Sequence, residues 1–116
     1  MIKIFAYGTL YDKDVQLSEF GTHFHVEDDM DYISGYDIIN IKMNGVYYKV
    51  AAESESISLI SGVIIHIPDS YIELVDKYEG REYERKSITT LSGVDCQMYV
   101  KRVDKWVILI HHPMKF

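Results

Sequence analysis

Two stretches of this chain carry residue types and spacings that can do chemistry. The first is Phe5-Ala6-Tyr7-Gly8-Thr9-Leu10. There an apolar segment stops at a glycine-bearing turn, whose backbone N–H groups can face an anion and whose glycine allows close approach. The second is Val75-Asp76-Lys77-Tyr78-Glu79-Gly80, where an amphipathic segment ends on a carboxylate just before a C′ glycine. A helix C-terminus carries partial negative charge, which disfavours an ionised Glu79. Asp76, three residues earlier, shares its helix face and adds like-charge repulsion. Partial burial under tyrosines pushes in the same direction, while Lys77, Arg81 and Arg85 oppose it. A carboxyl raised toward neutrality is what proton transfer at neutral pH requires, and such help is worth about 10²–10⁴-fold in rate. Each stretch alone has a plainer reading, a strand end and a solvated helix end. Together they outline a site. The neighbouring carboxylates have structural tasks instead: Glu73 completes a capping box begun at Ser70, and Glu82 and Glu84 begin a strand.

Positioning these groups falls to the surrounding elements. Residues 2–6 read as a buried strand, broken by Gly8. Asp12 to Phe20 reads as a short helix or turn-rich segment, with Asp12 or Asp14 as N-cap and Gly21 as its end. His23 to Asp31 reads as a loop followed by a strand entry, and Tyr32 to Met43 as a strand. Asn44-Gly45 is the dipeptide of a type I′ hairpin returning through Val46, Tyr48 and Val50. Ala51 to Ser58 reads as a surface connection. Residues 57–67 are apolar on both faces, which predicts a central strand covered by a helix, with Gly62 marking a bulge or a close backbone approach. Tyr71, Leu74, Val75 and Tyr78 follow helical spacing, so a helix is expected from about Asp69 to Tyr78 or Glu79. Strands follow at Tyr83–Leu91, Cys96–Val103 and Trp106–Ile110, joined by turns at Ser92–Asp95 and Asp104–Lys105. About six strands, mostly antiparallel, with one clear helix and no βαβ rhythm, predict an α+β fold: a small mixed sheet curled into a barrel with a helix outside.

Composition narrows the function. The 116 residues, 47% apolar and 26% charged, fit one globular domain spanning 1–116. A net charge of -6 without a Lys/Arg cluster argues against a nucleic-acid partner. The absence of a secretory leader pattern and of an apolar run near ~18 residues argues against export and membrane insertion. The single Cys96 has no internal disulfide partner and suits a reducing, cytoplasmic setting, in a packing role. His23 and His25 suggest a metal pair but lack a third ligand in view, and His111-His112 reads as a polar tail, so no metal or cofactor is expected.

The Phe5–Leu10 stretch, Gly62 within a strand, Leu74-Val75-Asp76-Lys77-Tyr78-Glu79-Gly80, and then Tyr83 and Arg85 resemble the gamma-glutamylcyclotransferase-like family, including its AIG2-like branch and the gamma-glutamylamine cyclotransferases. Order and spacing agree from Ile4 to about Tyr99. The resemblance implies a mixed β-barrel with peripheral helices. It implies a cofactor-independent enzyme that expels an amine from a small γ-glutamyl compound and leaves 5-oxoproline. Tyr7, Gly8, Thr9 and Leu10 would hold the substrate, with Tyr99 lining the pocket. Glu79 would be the catalytic acid/base, and Tyr83 and Arg85 would brace the site. Tyr11-Asp12-Lys13-Asp14-Val15 departs from members that carry a basic residue and a glycine there, and is nearer the AIG2-like pattern. Val75 replaces the family's usual Leu. The leaving amine is expected against residues 11–31 and 43–56. A non-catalytic binding module on the same scaffold, or a relative acting on another amide, remains an alternative. The chain does not specify an oligomeric state.

Overall fold

The computed structural model describes residues 1–55 and 57–102. In chain order it runs β1 (Ile2–Ala6), α1 (Lys13–Phe20), β2 (His25–Val26), β3 (Asp31–Ile33), β4 (Tyr36–Met43), β5 (Val46–Glu53), β6 (Ile60–Ile67), α2 (Ile72–Glu79), β7 (Tyr83–Thr89) and β8 (Asp95–Lys101). Short 3-10 turns, Thr9–Tyr11 and Asp69–Tyr71, lead toward the two helices.

The strands form one mixed, mostly antiparallel sheet in the order β2-β6-β1-β8-β5-β4, with β3 also on β6 and β7 also on β8. β1 lies antiparallel to β6, from Ile2↔Ile67 to Ala6↔Val63. It meets β8 in parallel at Ile4↔Gln97, and β5 meets β8 in parallel further along, at Ala51↔Val100. Among the described residues this path has two ends, so the expected barrel is replaced by an open sheet of eight strands rather than about six. Two local features account for the difference. Gly35 (φ 85) divides the expected strand Tyr32–Met43, sending β3 to β6 and β4 to β5. The β4–β5 hairpin then pairs with itself from Tyr36↔Glu53 to Met43↔Val46 and joins the sheet through a single register pair.

The sheet is buried on both faces. One face packs Ile4, Ala6, Ile65, Ile67 and Tyr99 against Val75 of α2 and Leu10. The other gathers Phe5, Ile33, Ile60, Ile64, Met98 and Val100. The period-2 alternation of β1 and β6 decides which residue goes where, and each buried Ile contributes about 1.5–3 kcal/mol. The central position of β6 follows the expectation. A Cβ on Gly62 would meet the Ala6 carbonyl oxygen at 2.6 Å and the Phe5 ring at 2.7 Å, so the close approach is real.

The Asn44-Gly45 hairpin has positive φ at both residues, 52° and 81°, as a type I′ turn requires. Ala51 is fully buried within β5, which runs to Glu53 where a surface connection was expected. Asp12 settles α1 as a helix, its carboxylate accepting from Asp14 N–H at 2.8 Å and Val15 N–H at 3.4 Å, and Gly21 (φ 71) ends it. The Ser70–Glu73 capping box does not form. The tighter turn closes first, with Tyr71 N–H donating to the Pro68 carbonyl, and α2 begins at Ile72, past Ser70. Cys96 is buried and its thiol is pushed up to about 11, chiefly by burial, in keeping with a packing role. Among the described residues no helix is long and apolar enough to cross a membrane. The expected Asp104–Lys105 turn, the Trp106–Ile110 strand and the His111-His112 tail lie outside the described residues.

Candidate active site

Where β1 ends, β8 has to be shared along one edge by β1 and β5, and the backbone between the two pairings lacks a strand partner. The Tyr7 hydroxyl fills that gap: it donates to the Tyr99 carbonyl at 2.7 Å and accepts from Ala51 N–H at 2.9 Å. Burial raises its pKa far above the ordinary value, so it remains a phenol. The hydroxyl is committed to the sheet, and what Tyr7 offers a ligand is its position on the wall. At Gly8 a Cβ would meet no protein atom within 4 Å, so the space beside it is free. Thr9 and Leu10 open a 3-10 turn, and the first N–H groups of such a turn have no partner inside it. Leu10 is 3% exposed and anchors the turn in the core, while its carbonyl accepts from Gln16 Nε2 at 2.9 Å.

Opposite stands the end of α2. Thr9 Oγ1 lies 2.8 Å from the Tyr78 hydroxyl, which ties the turn to the residue before Glu79. Glu79 is partly buried, and its carboxyl is pushed up to about 7, first by burial and then by the negative charge of Asp76. Among the described residues neither a hydrogen bond nor any of Lys77, Arg81 and Arg85 offsets that rise. Asp76 has the opposite surroundings. It accepts from the Tyr99 hydroxyl at 2.6 Å and from Arg85 Nε and a terminal guanidinium nitrogen at 2.8 and 3.2 Å. Arg85 also donates to Gln97 Oε1 at 2.8 Å. Two carboxyls one helical turn apart are thus set to different tasks: one is held by donors, and the other is left half-protonated near pH 7.

Tyr7, Gly8, Thr9, Leu10, Glu79, Tyr83 and Tyr99 line one cleft of about 1160 Å³. Arg85 does not. It lines a neighbouring cleft with Asp76 and Gln97, and its guanidinium is hydrogen-bonded to Asp76. The Tyr83 hydroxyl donates to the Lys49 carbonyl at 3.1 Å, joining β7 to β5. Burial and then the Glu79 charge raise the Tyr83 pKa, and burial and the hydrogen bond to Asp76 raise that of Tyr99. The far wall comes from Tyr11, Asp12, Glu19 and Phe20 on one side, and from Asn44, Tyr47, Tyr48 and Lys49 of the hairpin on the other. The sequence reading missed Tyr78 as the partner of Thr9, and saw in Asp76 only repulsion, not the anchor of Tyr99 and Arg85. Helical spacing put Asp76 beside Glu79, but only the fold brought β7 and β8 to it. Among the described residues the cleft assembles no group of three His, Cys, Asp or Glu ligands.

The Gly8–Leu10 turn and Glu79 at the end of α2 thus line one cleft of an open mixed sheet. The chain matches the family described as gamma-glutamyl cyclotransferase, AIG2-like, over residues 4–112, and it belongs to that family. No curated protein matches it. Among solved structures, the solution structure of At3g28950.1 from Arabidopsis thaliana is 20% identical with a TM-score of 0.67, covering 99% of this chain and 76% of that one. At5g39720.1 from the same organism is 18% identical with a TM-score of 0.71, covering 97% and 85%. The crystal structure of an uncharacterized protein, PH0828 from Pyrococcus horikoshii, is 18% identical with a TM-score of 0.61, covering 97% and 98%. These likenesses show a shared fold.

Proposed function

We propose that the protein is a cyclotransferase that releases 5-oxoproline and an amine from a small γ-glutamyl compound. The observation that carries this reading is the cleft that joins the Gly8–Leu10 turn to Glu79, the two held together by the Thr9–Tyr78 hydrogen bond. Glu79 takes a proton from the substrate α-ammonium and frees its lone pair. The nitrogen bonds to the γ-carbonyl carbon, closing a five-membered ring, and the oxyanion lies against the turn N–H groups. Glu79 then hands a proton to the departing nitrogen and the original C–N bond breaks. In all, two protons leave the attacking nitrogen and two end on the amine, which departs as an ammonium; Glu79 finishes as it began. A carboxyl near pH 7 suits both halves of that exchange. Ring closure is intramolecular, so holding the substrate rotamer supplies much of the rate. The tyrosines of the hairpin and the α1 residues would surround the leaving amine.

The test is a panel of γ-glutamyl amides and amines incubated with purified protein, with 5-oxoproline as readout. At least one compound should be turned over, and Glu79→Gln should fold and lose the product. Full turnover by Glu79→Gln rules out this mechanism.

A further inference from the structure

At the opposite end of β1 from the cleft, three metal-binding side chains meet on one patch of the sheet. His25 and His66 are direct cross-strand partners of β2 and β6. Directly opposed side chains share a face, and the two imidazole rings lie 5.1 Å apart. Glu27 is two residues beyond His25, the spacing that returns a side chain to the same side of an extended chain. Its backbone N–H donates to the Ile64 carbonyl at 2.9 Å, which holds that extended course alongside β6. Its Oε1 lies 2.6 Å from His66 Nε2 and 3.8 Å from His25 Nε2. One donor atom from each of the three residues falls within 4.8 Å of the others.

We propose that His25, Glu27 and His66 form a site for a divalent transition-metal ion of the zinc type, which clamps β2 onto β6. Two imidazoles and one carboxylate are a borderline donor set, suited to Zn²⁺ and unsuited to Mg²⁺ or Ca²⁺, which take oxygen ligands. Bonds of about 2.0–2.2 Å to one ion place ligand atoms a little over 3 Å apart. The His66–Glu27 pair therefore opens slightly from its hydrogen bond, and the His25–Glu27 pair closes. His66 supplies a firm base, since its side chain is only 19% exposed, while His25 and Glu27 can adjust at the surface. The fourth position stays open to water. β2 has just two residues and two register pairs on β6, so a metal clamp adds what strand length does not. β2 follows α1, whose Glu19 and Phe20 wall the cleft. Lys3, the register partner of His66 on the other side, contributes a competing positive charge near Glu27.

The experiment is calorimetric titration of the full chain with ZnCl₂, with MgCl₂ as the comparison, and melting curves with and without each ion. The expected result is one Zn²⁺ per chain and a higher Tm with Zn²⁺ alone. His25→Ala, at an exposed position, should weaken binding at least about tenfold and remove the Tm rise. His66→Gln should do the same, and Lys3→Ala should tighten binding. No Zn²⁺ binding, or binding of equal strength in His25→Ala and His66→Gln, overturns the proposal; the latter would place the ion on other residues. Equal responses to Mg²⁺ and Zn²⁺ would overturn it as well.

Discussion

Replacing Glu79 with Gln should stabilise this protein at alkaline pH and leave it unchanged at acid pH. The carboxyl has a value of 4.5 in the open chain and about 7 in the folded one. The folded state therefore binds the proton more tightly, and stability falls as pH rises between those two values. At about 1.4 kcal/mol per pH unit, the full difference is on the order of 3 kcal/mol, all of it present above about pH 8. Below about pH 4 Glu79 is protonated in both states and resembles the neutral Gln. At roughly 4 °C per kcal/mol for a chain of this length, Glu79→Gln should melt on the order of 10 °C higher at about pH 8 and nearly level with the native protein at about pH 4. Differential scanning calorimetry across that range reads the effect without any substrate. Parallel curves for the two proteins would mean that Glu79 titrates as an ordinary surface carboxyl, ill-suited to exchanging protons near neutral pH.

Asp76→Asn removes the charge that raises Glu79 second only to burial, so the Glu79 titration should move to lower pH, and with it the acid limb of any cyclisation rate. A pH–rate profile that stays in place or moves upward contradicts the coupling. Gly62→Ala drives a Cβ against the Ala6 carbonyl and the Phe5 ring at 2.6–2.8 Å. A rigid backbone atom cannot yield cheaply there, so a loss of about 1–3 kcal/mol or more is expected in urea unfolding; a variant as stable as the native chain would mean that β1 and β6 are not held so closely.

Much of the site was legible because its parts are local. Gly8 interrupts an apolar run, and Glu79 stands three residues after Asp76 on a helical face, so backbone geometry alone puts a turn and a paired carboxylate there. The type I′ hairpin at Asn44-Gly45 and the two-sided burial of β6 follow equally from short-range rules. Where the sequence reading failed, a choice between partners was at stake. Tyr32 to Met43 read as one strand, but Gly35 divides it: the β3 segment found its partner in β6 and the β4 segment found its partner in β5. The capping box at Ser70 lost to a 3-10 turn after Pro68. Closure into a barrel depends on pairings between strands far apart in the chain, and no local pattern encodes them.

The sequence by itself determined that a glycine turn and a helix-terminal carboxyl exist, because each is set by residues within a few positions of one another. Tertiary structure decided what surrounds them. It put Thr9 on Tyr78, gave Asp76 to Tyr99 and Arg85, and left Glu79 without a donor among the described residues. It gave the Tyr7 hydroxyl to the bridge between β5 and β8 while keeping Tyr7 on the wall of the cleft. It also brought His66 to His25 and to Glu27, the latter 39 residues away along the chain. Proton affinity and metal affinity both depend on which groups share a low-dielectric or crowded space, and that is set by strand register.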